Sequence, residues 1–166
     1  PQAKIVFIGP CTAKKLEIKQ ERVRPYVDSV LTFEELQALF DSRSIDPSEL
    51  PEEVLDNASY YGRIFARSCG VTDAVREAIR EQGITDFHID PVTCDGIEQC
   101  RTALLRASKG RLQNNFIEGM ACVGGGIGAG CLTHDPRNKD QVDKYGKQAE
   151  RTILEATEAM EEELFS

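Results

Sequence analysis

Hydrophobic and polar positions along the chain change their spacing in a way that predicts strands and helices in turn. The apolar run from Ala3 to Gly9 ends in Gly-Pro, which is typical of a buried strand that stops at a functional loop. Two later segments, TDFHIDPVT, which Pro91 interrupts, and NNFIEGMAC, are also predicted to be strands. Strands that alternate with helices predict an α/β fold, in which a layered and mostly parallel sheet is flanked by helices.

Apolar residues at helical spacing predict three helices among these strands. The segment SVLTFEELQALFDS has Thr32 and Glu35 in the spacing of a capping box. Two further helices, VTDAVREAIREQG and GIEQCRTALLRASKG, are predicted to end at Gly83 and Gly110, because glycine is favoured just after a helix. Between the first two helices, the prolines of DPSELPEEVLDN predict a surface loop or short helical turns.

The last part of the chain, residues 138–166, is strongly charged and predicts a C-terminal helical tail. Gly146 within this tail would mark a kink or a break, because glycine weakens the interior of a helix. The chain has the length of one domain of ordinary size, so residues 1–166 are predicted to form a single domain. Since it begins with Pro1 and has no signal sequence, we expect it to be a piece of a longer protein.

The composition of the chain argues against some classes of binding partner and favours one cellular compartment. The net charge of −8 and the lack of a basic stripe argue against a nucleic acid partner. No apolar run is long enough to span a membrane, so we expect a soluble protein with no membrane partner. Six cysteines without the dense spacing of a disulfide scaffold fit a reducing compartment, with the cytoplasm as the default.

The most informative segment is a glycine-rich loop between two thiols, FIEGMACVGGGIGAGCL, in which Cys122 and Cys131 flank the glycines. Glycine accepts a positive φ and has no Cβ, so its N–H groups can turn toward an anionic group such as a phosphate or an iron–sulfur cluster. A simpler interpretation is a glycine-rich turn beside a buried cysteine.

Two nucleotide-binding interpretations of this loop have less support. A phosphate-binding loop requires a lysine and a hydroxyl after its last glycine, whereas Leu132 and Thr133 follow Cys131. A dinucleotide-binding loop requires a helix directly after the glycines, whereas the residues that follow are turn-like. A closed zinc site is also disfavoured, because CxxC is absent and His88 and His134 are the only histidines.

Two segments resemble the second and third cluster-binding signatures of the iron-iron hydrogenases. They are GPCTAKKLE, from Gly9 to Glu17, and EGMACVGGGIGAGCL, from Glu118 to Leu132, and the family patterns are roughly PCxxKxxE and ExMACxGGCxxGG. The segments VLTFEEL and ARSCGVTDAVREAIRE are also similar to segments of that family. The resemblance runs from Ala3 to about Cys131 and implies the C-terminal lobe of the catalytic domain that holds the H-cluster.

The resemblance also implies roles for particular residues. Cys11 and Cys122 match two thiolate ligands of the 4Fe-4S cubane, and Lys14 and Met120 match residues beside the diiron unit of the H-cluster. Backbone at Gly124 and Gly125 falls in the cofactor-binding loop, and Glu17 and Glu118 match acids that orient loops and neighbours. Such a protein would reversibly reduce protons to H2, with the metal cluster supplying the redox chemistry.

The chain also departs from the family pattern. Gly126 stands where the family has the cysteine that bridges cubane and diiron unit, and Cys131 is either an alternative ligand or an extra cysteine. A TSCCPGW-like first signature does not occur in the chain. The missing signature implies an N-terminal lobe of the same hydrogenase as a partner. The resemblance also implies a ferredoxin-like electron carrier and an anaerobic bacterium as the source.

Two functions remain open from the sequence. In the first, the chain is part of an iron-only hydrogenase that is catalytic only as a whole. The isolated chain is then expected to be inactive, and it need not bind a cluster by itself. The second is a noncatalytic hydrogenase-like domain, such as a sensor, a cluster-binding module or a relative of an assembly factor. Cys69, Cys94 and Cys100 lack ligand spacing and are interpreted as packing or surface thiols.

Overall fold

A computed structural model describes residues 3–51, 57–128 and 137–165, with side chains described up to residue 162. In these ranges the chain has an α/β fold with two small parallel sheets, helices around them and a C-terminal helix, as predicted. The residues fall into two compact units. The first unit comprises the described residues 3–51, and the second comprises 57–128 and 137–165. The extent of the domain, predicted as residues 1–166, stays a prediction.

The first unit is built on one parallel pair of strands, β1 (Val6–Ile8) and β2 (Ser29–Leu31). The short helix α1 (Lys14–Glu17) lies between them in sequence, and α2 (Phe33–Ser42) follows β2. The predicted capping box is confirmed, because Glu35 N donates to Thr32 Oγ1 and Thr32 N donates to the Glu35 carboxylate. The Thr32 cap also explains why the three preceding residues, which were predicted as helix, form a strand instead.

The prediction that the first strand is buried is wrong. Val6, Phe7 and Ile8 are each at least 40% exposed, whereas Val30 in β2 is 5% exposed. The helices α1 and α2 pack against β2, and this leaves the side chains of β1 uncovered within the first unit. Parallel sheets are normally covered on both faces, so an exposed apolar strand is unusual in this class of fold.

The second unit contains the parallel pair β3 (Pro91–Asp95) and β4 (Phe116–Met120), connected by α5 (Ile97–Ser108). The strand β3 begins at Pro91 rather than earlier, so the predicted strand TDFHIDPVT is only partly correct and His88 lies outside it. Proline has no N–H to donate and is therefore accepted at the first position of a strand.

Four further helices complete the second unit: α3 (Tyr60–Arg63), α4 (Gly70–Glu81), α6 (Asn138–Gly146) and α7 (Ile153–Phe165). As predicted, Gly83 and Gly110 follow the ends of α4 and α5 with positive φ. The short helix α3 packs against α4, α6 and α7, while α5 packs against both strands. The core of this unit includes Ile64, which is fully buried.

The C-terminal tail is two helices, and its break follows Gly146 as the sequence suggested. A Cβ at Gly146 would lie 3.0 Å from side-chain atoms of both Ile64 and Tyr60, so the close approach of α6 to α3 favours glycine. The second helix, α7, begins where Ile153 N and the next N–H donate to the carboxylate of Glu81, at 3.1 and 2.9 Å. This carboxylate satisfies N–H groups that the first turn of a helix leaves without partners. Across the described ranges, every helix is too short or too polar to cross a membrane.

Candidate functional site

Each unit carries one of the predicted cysteines just beyond the carboxyl end of a parallel strand. Cys11 comes three residues after β1, and Cys122 comes two residues after β4. Cys11 is half-buried, Cys122 is exposed, and both thiols are free. Ligands of α/β folds bind at the carboxyl ends of parallel strands, so both loops leave the sheets at the edge where binding residues are expected.

The loop of Cys11 is held mainly by its immediate neighbours in sequence. Gly9 N donates to Leu31 O at 3.1 Å, which extends the pairing of β1 with β2 to the start of the loop. Lys14 N then donates to Cys11 O at 3.2 Å, where the turn leads into α1. The loop is therefore a short connection from a strand into one helical turn.

Lys14 and Glu17, which the resemblance singled out together, form an ion pair. Lys14 Nζ lies 2.6 Å from Glu17 Oε2, and the ammonium group lies 5.9 Å from the centre of the Phe7 ring. Both charged side chains are about two-fifths exposed, so the surrounding water weakens their attraction. The pair holds the positive charge of Lys14 on the helix that follows Cys11.

The adjacent lysine is part of the capping box rather than of the cysteine loop. Lys15 Nζ donates to both carboxylate oxygens of Glu35, at 2.8 and 2.7 Å. The hydrogen bonds from Lys15 and from Thr32 N hold the pKa of the Glu35 carboxyl below its usual value. The first unit thus places its two adjacent lysines on different carboxylates.

The loop of Cys122 is held by residues that are distant in sequence. Asp95 Oδ1, at the end of β3, accepts hydrogen bonds from Ser68 Oγ at 2.7 Å and from Gly124 N at 2.8 Å. Gly126 N donates to Ala66 O at 2.7 Å. The glycine loop is therefore fastened both to the neighbouring strand and to the segment that precedes α4.

Glycines 124 and 125 are required by the shape of this loop. Their φ angles are +83° and +72°, in the region that side chains rarely adopt. A Cβ on Gly125 would lie only 2.5 Å from Ala66 O, because the loop approaches the backbone of that segment closely. The N–H groups of Gly124 and Gly125 donate to Asp95 and to Cys122 O, so in this structure they are occupied by protein acceptors. The predicted role of these glycines in binding a cofactor stays a prediction.

Glu118 joins β4 to the start of α4. Its side chain is 4% exposed, and its Oε2 accepts from Thr72 N at 2.8 Å. Its Oε1 has no hydrogen-bond partner among the described residues. A carboxylate at the N-terminus of a helix is stabilised by the helix dipole and by the unpaired N–H groups there.

Met120 and the remaining thiols surround the end of β4. Met120 is half-buried, and its carbonyl accepts from Gly96 N at 2.8 Å. Cys94 is buried, and burial together with the nearby Cys100 raises the pKa of its thiol. Cys100 is half-buried with Sγ 3.6 Å from Met120 O, which agrees with packing roles for these two cysteines. Cys69, directly before α4, has a φ of +71°, which is unusual for a residue with a side chain.

The residues present fit thiolate ligation of an iron–sulfur cluster only in part. Each unit offers one cysteine at a strand end, and thiolate sulfur is the ligand that such clusters use. Gly126, at the position of the family's bridging cysteine, has no sulfur, and Cys131, the alternative ligand left open by the sequence, lies outside the described residues. Among residues 3–51, 57–128 and 137–165, no three His, Cys, Asp or Glu side chains are grouped so that they could hold a metal ion.

Sequence reasoning missed the residues that hold the Cys122 loop. Asp95 and Ser68 did not stand out, because an Asp-Gly pair after a strand is ordinary turn chemistry and a single serine carries no pattern. The available signal was the order of strands: if β3 and β4 are parallel neighbours, residues at their carboxyl ends must lie together. Asp95 is in fact paired with Met120 in the register of the sheet.

Comparison with known proteins identifies relatives of this fold. A family model for the C-terminal domain of the iron only hydrogenase large subunit matches residues 1–130. A solved structure from work on oxygen inactivation of an [FeFe]-hydrogenase has a TM-score of 0.63 and 18% identity, over 95% of this chain and 56% of that chain. The [FeFe]-hydrogenase HydA(deltaEFG) has a TM-score of 0.61 and 18% identity, over 93% and 56% of the two chains.

A variant of the [FeFe]-hydrogenase HydA1 from Chlamydomonas reinhardtii has a TM-score of 0.55 and 17% identity, over 92% of this chain and 54% of that chain. The chain therefore spans a little over half the length of these solved structures. No curated protein sequence matches the chain. At such low identities, the structural similarity shows a shared fold.

Proposed function

Because the chain belongs to the family formed by the C-terminal domains of iron-only hydrogenase large subunits, we propose that it supplies ligands for an H-cluster in a hydrogenase. The observation that carries the proposal is the placement of Cys11 and Cys122, each in a loop just beyond the carboxyl end of a parallel strand. The reaction proposed for the whole protein is the reversible reduction of protons to H2. When bound, the 4Fe-4S cubane and the diiron unit would supply the redox chemistry.

In this proposal the chain's own residues bind the cluster and set the charge around it. Cys11 in the first unit and Cys122 in the second would each supply one thiolate ligand to the cluster. Lys14 would supply positive charge near an anionic cluster, and its ammonium group pairs with Glu17 on the same helical turn. Met120 contributes an apolar side chain at the end of β4, two residues before the second thiolate.

A second candidate function is supported by Gly126. Glycine has no thiolate, and Gly126 N is already bonded to Ala66 O, so this residue shapes the loop without binding metal. A noncatalytic hydrogenase-like domain would need a cubane ligand set but no bridge to a diiron unit. The candidate is therefore an iron–sulfur sensor, binding module or assembly factor. Protein that holds a cubane and evolves no H2 after maturation together with the N-terminal lobe would favour this alternative.

We also propose an N-terminal lobe of the same hydrogenase as the partner of the first unit. The apolar side chains of Val6, Phe7 and Ile8 are exposed, and the similar solved structures extend well beyond the part that this chain spans. Such a lobe would cover β1 and remove that apolar area from water. Addition of the N-terminal lobe to the chain should slow amide hydrogen exchange at residues 5–8. An unchanged exchange rate at these residues would refute the contact.

The electron carrier and the compartment belong to the same proposal. A ferredoxin-like protein is the expected donor or acceptor of electrons. The proposed cytoplasmic location agrees with the free thiols of the five described cysteines. The proposed source, an anaerobic bacterium, rests on the family resemblance.

The proposal is tested by anaerobic reconstitution with iron and sulfide, carried out on the protein alone and on the protein with the N-terminal lobe added. Iron and sulfide are then quantified, and the reduced sample is examined by electron paramagnetic resonance. A cubane signal is expected in the parent chain and should be lost in Cys11→Ala and in Cys122→Ala. Cys100→Ala is the matched control, because Cys100 is a half-buried thiol with a packing role. A signal that survives both ligand substitutions would contradict the proposal.

A further inference from the structure

Asp95 lies beside the point where the second cysteine loop begins. It is the last residue of β3 and is paired with Met120, two residues before Cys122. Its main-chain N–H donates to Gln99 Oε1 at 3.1 Å, at the start of α5. The sheet and the following helix therefore hold the main chain of Asp95 in place, and this sets the position from which its carboxylate extends.

One oxygen of this carboxylate joins two loops. Asp95 Oδ1 accepts from Ser68 Oγ at 2.7 Å and from Gly124 N at 2.8 Å. A hydrogen bond to a charged acceptor is shorter and stronger than one between neutral groups. The two donors are 56 positions apart in the numbering, 124 minus 68, so only the folded chain brings them to one atom.

The segment from Ala66 to Ser68, which supplies the Ser68 hydroxyl to Asp95, is itself held in place by other contacts. Arg67 forms an isolated antiparallel bridge with Gly125. Its guanidinium group lies 3.1 Å from Asp73 and 3.3 Å from Asp143, and its side chain is only 14% exposed. The segment from Ala66 to Ser68 is thus a fixed support against which the glycine loop rests.

The glycine loop needs such a support, because its own sequence does not select one conformation. Glycine populates positive and negative φ about equally and loses more conformational freedom on folding than other residues. Gly124 and Gly125 both have positive φ, and they follow Cys122 almost directly. The position of the thiol relative to β4 therefore depends on bonds from outside the loop.

We infer that Asp95, with Ser68, is a positioning residue that holds Cys122 in the geometry of a cluster ligand through Gly124. The inference deepens the proposed function and rests on it in one respect, the role of Cys122 as a ligand. In this role Asp95 acts through Gly124 and does not itself bind the cluster. Its removal should free the glycine loop while the Cys122 thiol remains in the chain.

The first arm of the test uses the metal-free protein. Asp95→Ala removes the acceptor, Asp95→Asn keeps an oxygen in the same place, and Ser68→Ala removes one donor. Asp86→Ala changes an exposed aspartate of the same unit and serves as the control. Hydrogen exchange of a peptide covering residues 119–128 should become about tenfold faster or more in Asp95→Ala, because a charge-assisted hydrogen bond is lost. Ser68→Ala should give a smaller increase, and Asp95→Asn should remain close to the parent chain.

The second arm repeats the iron and sulfide reconstitution on the same variants. Asp95→Ala should hold less cubane and give a broadened paramagnetic signal, and Asp95→Asn should restore both. If Asp95→Ala does not fold, hydrogen exchange and bound cubane are compared between Ser68→Ala and Asp95→Asn instead. Faster exchange and less cubane in Ser68→Ala than in Asp95→Asn would then support the inference. Unchanged exchange in residues 119–128 for the variants that remove a bond would overturn the inference. A parent chain that binds no iron, either alone or with the N-terminal lobe added, would refute the proposed function instead, and the exchange data would still decide whether Asp95 holds the loop.

Discussion

The two cysteine loops leave equivalent places in the fold, but they are held in opposite ways. The loop of Cys11 leads into a helical turn whose bonds connect residues three positions apart, such as Lys14 N to Cys11 O and Lys14 to Glu17. The loop of Cys122 is held through Asp95, whose partners Ser68 and Gly124 are 27 and 29 positions away. The first loop is a local structure, whereas the second exists only when distant segments have already packed together.

The two loops should respond differently to substitutions of the residues that support them. A local turn can form again whenever its few residues meet, and its ion pair is exposed to water. A loop supported by distant segments gains rigidity from the packed unit and loses it when any one support is removed. We therefore expect substitutions around Cys122 to be more costly than equivalent substitutions around Cys11.

The largest expected effect is that of Gly125→Ala. The new Cβ would lie 2.5 Å from Ala66 O, and the φ of +72° is unfavourable for alanine. We expect the free energy of unfolding to fall by about 3 kcal/mol or more, measured by urea denaturation. Gly83→Ala is the matched control, because Gly83 has a φ of +66° and no atom within 4 Å of its added Cβ. Its cost should be about 1 kcal/mol, and equal costs for the two variants would show that the close packing of the loop is unimportant.

The next effect compares the two acids that the sequence resemblance singled out. Glu118→Ala removes the acceptor of a buried N–H, so the free energy of unfolding should fall by about 2 kcal/mol. Glu17→Ala breaks a pair that is two-fifths exposed and should cost less than about 1 kcal/mol. Glu118→Gln keeps one oxygen for Thr72 N and should recover most of the loss. If Glu17→Ala were the more destabilising substitution, the contrast between the loops would be wrong.

A smaller effect is expected where each unit holds a side chain at positive φ. Cys69, with a φ of +71°, directly precedes α4 in the second unit, and Ser44, with a φ of +52°, follows α2 in the first. Glycine relieves this strain, so Cys69→Gly and Ser44→Gly should each raise the free energy of unfolding by up to about 1 kcal/mol. A loss of stability in Cys69→Gly alone would mean that its thiol makes a favourable contact near the second loop.

The smallest effect is a pH dependence in the first unit. Hydrogen bonds from Lys15 and Thr32 N lower the pKa of Glu35 in the folded chain. A carboxyl with a lowered pKa adds stability above its unfolded value, near 4.5 here, and this stability is lost as the pH falls through the folded value. The parent chain should therefore lose more stability than Glu35→Gln when urea denaturation is compared at neutral pH and at about pH 3. Equal losses would show that the capping box carries no such linkage.

Local elements of the fold were predictable because their signals lie within a few residues. The capping box of Thr32 and Glu35, the glycines after α4 and α5, and the strand β4 were all placed correctly. The break after Gly146 was also indicated, although its cause, the close approach of Ile64 and Tyr60, is a tertiary contact. The resemblance of two cysteine-containing segments to the family's signatures indicated the family, and the match over residues 1–130 confirms it.

Burial and long-range bonding were not predictable in the same way. The apolar run at β1 has the composition of a buried strand, yet its exposure depends on which elements pack against it. The strand β2 was missed because three residues before a helix cap carry too little pattern to be recognised. Asp95 and Ser68 were missed because neither has a partner nearby in sequence.

By itself the sequence determined most of the longer helices, the strand β4, where several of these elements end, and which two loops resemble the family's cysteine motifs. Only the tertiary structure decided that β1 is exposed, that Glu118 caps α4, and that one oxygen of Asp95 fixes the loop of Cys122. The physical reason is the range of the interactions. Caps and turns form between residues three or four positions apart and are encoded in the local chain. Hydrogen bonds across 27 to 46 positions exist only after packing has brought their partners together.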